Sequence, residues 1–151
     1  MFLNNDTRYM QQALVCAKQA KKHQEVPVGA ILVINDKVIA SAYNQTIIKC
    51  DPTAHAEILV LRKAARILKN YRLLEAILYV TLEPCLMCAG AMIQARIKRL
   101  VFAAPDQRLG ALGSLLDILQ MKGINHHFSV TKGPLALAST QLLKEFFLQR
   151  R

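Results

Sequence analysis

His55-Ala56-Glu57 and Pro84-Cys85-Leu86-Met87-Cys88 supply one imidazole, one carboxylate and two thiols. Zinc takes nitrogen and sulfur ligands, and three protein ligands with an open fourth position mark a catalytic site rather than a structural one. His55, Cys85 and Cys88 are therefore expected to hold about one Zn²⁺ per chain. Glu57 remains as a spare carboxylate, suited to carrying protons between water and a substrate.

The spacing says which elements must position these groups. Two residues apart on a mid-helix surface, His55 and Glu57 would diverge by roughly 200°, at about 3.6 residues per turn. They converge only if the site lies beyond a helix N-terminus, toward which side chains tilt. Asp51-Pro52-Thr53 is a helix-start cluster with Asp51 or Thr53 as N-cap, so a helix over 54–69 carries both in its first turn. Cys85 and Cys88, three apart, share a face in the first turn of a helix over 85–95. Pro84 before them fits a strand-to-helix corner. Two positive helix ends then face one metal and favour thiolates over thiols. Alone, a C-x-x-C also serves redox chemistry, a histidine at a helix start often caps, and a first-turn glutamate suits the dipole. The joint context is what makes the constellation specific.

The remaining elements interleave. A helix is predicted over 6–22, with Tyr9, Ala13, Cys16, Ala17 and Ala20 on one face. Strands over 28–34 and 37–44 around Asn35-Asp36 read as a hairpin. In the helix over 54–69, Ile58, Leu61, Ala65 and Leu68 form the expected buried stripe, and Arg62, Lys63, Arg66 and Lys69 the wet side. Strands follow at 77–82, 99–103 and 128–131, a loop at 104–113, a short helix at 114–119, and a terminal helix at 135–151 with Leu142, Leu143, Phe146 and Phe147 as its apolar residues. Strands alternating with helices imply a sheet covered on both faces. With no repeat and no Gly/Ser linker, residues 1–151 read as one domain.

The 151-residue chain is 53% hydrophobic, which excludes a disordered chain. Its longest apolar runs, 77–82 and 100–104, are too short to span a bilayer. Met1-Phe2-Leu3-Asn4 has no basic start before an apolar stretch, so a cytoplasmic location is expected. In that reducing setting the four cysteines are not a disulfide frame. Cys16 reads as a small core residue; Cys50, five positions before His55, is the one further thiol within sequence reach of the metal. His23, His126 and His127 read as surface residues. The net charge of +10 favours a polyanion, RNA or DNA, over a membrane. Arg150 and Arg151 are candidates for its phosphates. Asn44 offers an amide that can donate and accept at a purine edge.

H-x-E with P-C-x-x-C resembles the known signature of zinc-dependent nucleobase deaminases. Over about 6–151 the chain resembles the bacterial tRNA adenosine deaminases of the cytidine-deaminase superfamily. The blocks Glu25-Val26-Pro27-Val28-Gly29-Ala30, Asp51-Pro52-Thr53-Ala54-His55-Ala56-Glu57, Asn70-Tyr71-Arg72-Leu73, Leu78-Tyr79-Val80-Thr81-Leu82-Glu83-Pro84-Cys85, Cys88-Ala89-Gly90-Ala91-Met92-Ile93 and Phe146-Phe147 carry the resemblance. It implies an α/β fold, a three-layer α/β/α sandwich with a five-stranded mixed sheet, and a homodimer. It implies hydrolysis of adenosine to inosine at the wobble position of a tRNA anticodon, with the anticodon stem-loop as partner. His55, Cys85 and Cys88 match its zinc ligands and Glu57 its proton shuttle. Asn44 matches a residue on the purine and Asp106 one near the target sugar; Ala54, Pro84 and Phe147 are further implied substrate contacts. One segment departs: Ala104-Pro105-Asp106-Gln107-Arg108-Leu109-Gly110 stands where the family more often has Gly-Ala-Arg-Asp.

Two other functions fit parts of the pattern. A deaminase of free guanine or a cytosine nucleoside needs the same metal but not the +10 charge. A nucleic-acid-binding module with structural zinc needs a fourth protein ligand, for which Cys50 is the candidate.

Overall fold

Asn35 and Asp36, both at positive φ (50° and 60°), turn β1 (Gly29–Ile34) back onto β2 (Lys37–Tyr43) as the expected hairpin. The computed structural model describes residues 5–150. α1 (Asp6–Lys22) precedes the hairpin. α2 (Ala56–Leu68), β3 (Ile77–Leu82), α3 (Leu86–Ala95), β4 (Arg99–Ala104), a 3₁₀ turn at Ile118–Gln120, β5 (Ser129–Lys132) and α4 (Ala136–Gln149) follow it. The sheet order is β2-β1-β3-β4-β5. β1 runs antiparallel to β2 and β3, and β3, β4 and β5 are parallel. Successive side chains leave a strand on opposite faces. Ala30, Leu32, Leu78, Val80, Leu100 and Phe102 therefore pack in one core with α2 and α3. Ile31, Val33, Tyr79, Val101 and Ala103 meet α1 on the other face. α4 lies beside α1, Leu142 against Leu14 and Ala17. This is the expected three-layer α/β/α sandwich with a five-stranded mixed sheet. Among the described residues no helix is long and apolar enough to cross a membrane.

The start of α2 departs from expectation in a way that matters for the site. Asp51 does not cap the helix: its Oδ1 accepts the Thr53 N–H at 2.8 Å and the Thr53 hydroxyl at 2.7 Å, closing a local turn. His55 is the N-cap, with extended backbone. The Ala56 N–H is satisfied from a distant strand end, by Asn44 Oδ1 at 2.7 Å. Of the expected buried stripe, Ile58 and Leu61 are buried, but Ala65 is half-buried and Leu68 is exposed. Glu57, Val60 and Ala64 are buried instead at the adjoining positions, which takes the Glu57 side chain inward.

Three smaller expectations are corrected. No helix forms over 114–119, because the Leu115 and Leu116 N–H groups bond back to the Gly110 carbonyl and the Ile118 N–H, which would close the first turn on Ser114, bonds to the Ala111 carbonyl. Only the 3₁₀ turn remains, capped by Asp117 on the Leu119 N–H. His126 is partly buried, its Nε2 2.8 Å from the Ile97 carbonyl oxygen, while His23 and His127 are exposed. Phe146 of α4 is buried as expected, but Phe147 is half-exposed.

α1 is locked to the sheet by a buried ion pair. Arg99 donates to both Asp6 oxygens, at 2.9 and 2.6 Å, the Tyr79 hydroxyl donates to Oδ1 at 2.8 Å, and Asp6 is fully buried. Arg99 also reaches Thr131 on β5, so one guanidinium joins α1, β4 and β5. Truncating one partner of a buried pair strands the other charge. Asp6→Ala is therefore expected to destabilise the fold by about 3 kcal/mol, the low end for buried pairs, measured by urea denaturation. A loss under about 1 kcal/mol would mean that water reaches Arg99 and takes over its solvation.

Candidate active site

Both metal-ligand motifs sit where a chain enters a helix. His55 is the N-cap of α2, and Cys85 is the N-cap of α3, both with extended backbone; Cys88 lies three residues further on. Cys85 follows the carboxyl end of β3, where α/β sheets place their ligands. The sulfur atoms of Cys85 and Cys88 lie 3.7 and 3.4 Å from His55 Nδ1. All three ligand atoms fall within 4.8 Å of one another. Zinc bonds of ~2.3 Å to sulfur and ~2.05 Å to nitrogen, at a tetrahedral angle, put sulfur and nitrogen ~3.6 Å apart. The observed sulfur–nitrogen spacings bracket that value, so the donor set fits zinc. Glu57 stands outside this cluster and is 4% exposed.

The electrostatics agree with a cation site. The hydrogen bond with Cys88, opposed by burial and reinforced by His55, holds Cys85 down to about 4, a thiolate at neutral pH. The same bond, then burial, pushes Cys88 up. His55 is raised, first by its bond to Cys85. Burial is the first cause that raises Glu57. Crowded thiols, imidazole and carboxylate thus share protons that a divalent cation would replace. Cys50 takes no part: it is exposed, and its thiol faces the Ile47 carbonyl oxygen at 3.7 Å. The cluster has three ligands, and a fourth protein ligand is absent among the described residues.

The cluster opens into a cleft of about 420 Å³, within the range of small-ligand sites. Asn44, His55, Glu57, Cys85, Asp106 and Phe147 are among its walls. Asn44 is buried, its Oδ1 accepts the Ala56 N–H, and its NH₂ is a donor it can offer a ligand. Asp106 Oδ1 accepts the N–H groups of Arg108 and Leu109. Ala54 and Pro84 are buried and are not among the cleft's walls, their carbonyls accepting from Gln45 and Ala111. Arg150 lies outside the cleft; it donates to the Gln24 carbonyl at 2.7 Å and stacks over Phe146 at 4.6 Å. Arg151 lies outside the described residues. Sequence reasoning missed Val26, Glu83, Leu109 and Leu143, which also line the cleft. Only Glu83 carried a signal, as a charge directly before the Pro84-Cys85 corner.

A three-layer α/β/α fold with a His/Cys/Cys cluster and a buried adjacent glutamate defines a hydrolytic deaminase. The family model for MafB19-like deaminases matches residues 4–151, and the chain belongs to that family. Its relatives include the tRNA-specific adenosine deaminase of Haemophilus influenzae, 48% identical over 97% of this chain and 85% of that protein. The tRNA-specific adenosine deaminase of Bacillus subtilis is 42% identical over 99% of this chain and 92% of that one. A structure solved in a study of A-to-I editing by tRNA:A34 deaminases at the wobble position superposes with a TM-score of 0.89. It is 44% identical and covers 91% of this chain and 99% of its own. A guanine deaminase from Nitrosomonas europaea is more distant, 27% identical with a TM-score of 0.81, over 97% of this chain and 86% of that one.

Proposed function

We propose that this protein is a zinc-dependent hydrolase that converts adenosine to inosine at the wobble position of a tRNA anticodon. The observation that carries the chemistry is the buried Glu57 beside a three-ligand His55/Cys85/Cys88 cluster at the floor of an open cleft. A zinc ion held by His55 Nδ1 and the two thiolates would supply the acidification of water that hydrolysis at neutral pH requires. Glu57 takes the proton of the attacking water and delivers it to purine N1 as the new C6–O bond forms. It then moves the remaining hydroxyl proton to the amino nitrogen, the C6–N bond breaks, and ammonia leaves. Adenosine and water thus become inosine and ammonia, with Glu57 restored. The Asn44 amide donates to a purine ring nitrogen, and Asp106 faces the sugar. Phe147 supplies an apolar wall.

The cleft shares Pro105, Leu143 and Phe147 with a second groove of about 350 Å³ beneath α4, which Lys144 also lines. A target nucleotide's neighbours have room there, which supports a polynucleotide substrate over a free base. Arg150 and Arg151 remain candidates for flanking phosphates, with +10 net charge behind them. A homodimer in the cytoplasm belongs to the same reading.

An anticodon loop already presents its bases unpaired, so little energy is needed to bring one into the cleft. Deamination is therefore expected on hairpin-loop RNA and at most weakly on free adenosine or duplex RNA, followed by inosine formation. Each phosphate neutralised on a single strand should cost ~2.6-fold in affinity between ~50 and ~200 mM salt, so four contacts cost roughly 50-fold. Equal turnover of free nucleoside and stem-loop, without salt dependence, would instead support a nucleoside deaminase.

A further inference from the structure

Glu83 sits between β3 and the Pro84-Cys85 corner, 3% exposed, and it forms no ion pair among the described residues. Four donors from one distant segment converge on its carboxylate. Oε1 accepts the Asp106 N–H at 3.1 Å and the Ser114 hydroxyl. Oε2 accepts the N–H groups of Leu112 at 3.0 Å and Ser114 at 3.2 Å. Gly110 closes on the same group: a Cβ there would lie 2.3 Å from Oε2, so only glycine lets the backbone come this near. Residues 105–114 contain no helix or extended strand, and their shape has to come from such contacts. That segment carries Asp106 into the cleft wall. A buried carboxylate needs strong donors, and a loop of backbone N–H groups needs an acceptor; each satisfies the other.

We infer that Glu83 is a positioning residue for substrate binding, holding the Asp106 loop against the cleft so that Asp106 meets the nucleotide. The inference rests on the deaminase reading above. Glu83 acts through Asp106 and moves no proton, so its loss should weaken binding and spare the chemical step.

Glu83→Gln isolates this role. The amide keeps one carbonyl oxygen for the Leu112 and Ser114 N–H groups. Its NH₂ then faces the Ser114 hydroxyl, which can turn and accept, and the Asp106 N–H, which cannot. The variant therefore releases Asp106 selectively.

The test is steady-state kinetics on an anticodon stem-loop RNA with wild type, Glu83→Gln, Asp106→Ala and the double variant, each with its zinc content measured. Glu83→Gln is expected to raise KM about tenfold, the scale of one charge-assisted hydrogen bond, with kcat and zinc content held. In the Asp106→Ala background the same change should add nothing, as expected of residues acting as one unit. An unchanged KM overturns the inference. So does a fall in kcat with lost zinc, which would make Glu83 a support for Cys85. An equal effect in the Asp106→Ala background overturns it too. If Glu83→Gln does not fold, Ser114→Ala removes one donor to Oε1. It should raise KM about threefold, again only when Asp106 is present, and an unchanged KM there is equally fatal. Wild-type protein that forms no inosine sinks the deaminase reading and this inference together, whereas wild-type turnover with an unshifted variant sinks the inference alone.

Discussion

Glu57→Ala is expected to keep its zinc and its fold while inosine formation falls by about 10²–10⁴-fold, the usual contribution of a positioned proton carrier. Glu57 lies on the buried stripe of α2 beside the ligand cluster but is not one of its atoms. The other carboxylates in the cleft are engaged elsewhere: Glu83 accepts four hydrogen bonds, and Asp106 Oδ1 accepts two from its own loop. Neither can take over the proton path. Removing a buried carboxylate also removes its desolvation cost, so thermal stability should hold. Single-turnover rates on a stem-loop RNA, beside elemental analysis, check the result. Activity within tenfold of wild type would place the proton path elsewhere, and loss of zinc would make Glu57 a ligand.

Cys88→Ala is expected to abolish both zinc and turnover. Cys88 is fully buried at the foot of α3, and its sulfur lies 3.4 Å from His55 Nδ1, so no solvent-exposed group can replace it. Loss of an outer-shell partner costs about 10–100-fold in metal affinity, and a direct ligand should cost more. Purified Cys88→Ala should therefore carry zinc near zero by elemental analysis. Cys50→Ser is the matched control and should retain both zinc and activity, because Cys50 is exposed and bonded to its own turn. Zinc retained by Cys88→Ala would move the metal centre. Zinc lost from Cys50→Ser would turn a three-ligand catalytic site into a four-ligand structural one.

The clustering of His55, Cys85 and Cys88 was legible in the sequence because it depends on residue type and on local spacing. His55 with Glu57, and Cys85 with Cys88, each lie within one turn of a helix start, so neighbours in the chain fix their relation. The five strands and four α-helices were legible for the same reason: ladder and helix bonds follow from apolar periodicity and turn residues such as Asn35-Asp36.

What tertiary structure decided is where long-range partners intervene. Periodicity placed Ile58 and Leu61 inward, and packing extended the buried face toward Glu57, Val60 and Ala64 rather than toward Ala65 and Leu68. Asp51 had the composition of a cap, yet the cap for Ala56 comes from Asn44, twelve residues earlier on another element. That choice also fixes the orientation of the Asn44 amide through one of its acceptor sites. Residues 114–119 read as a helix, but the Ile118 N–H that would close its first turn on Ser114 bonds instead to the Ala111 carbonyl, and the Leu115 and Leu116 N–H groups bond to Gly110. Sequence by itself therefore determined the His55/Cys85/Cys88 cluster, the glutamate beside it and the order of elements. The folded chain alone decided which donors and acceptors were left for a substrate, because each buried polar group must first be satisfied by partners that local sequence does not reveal.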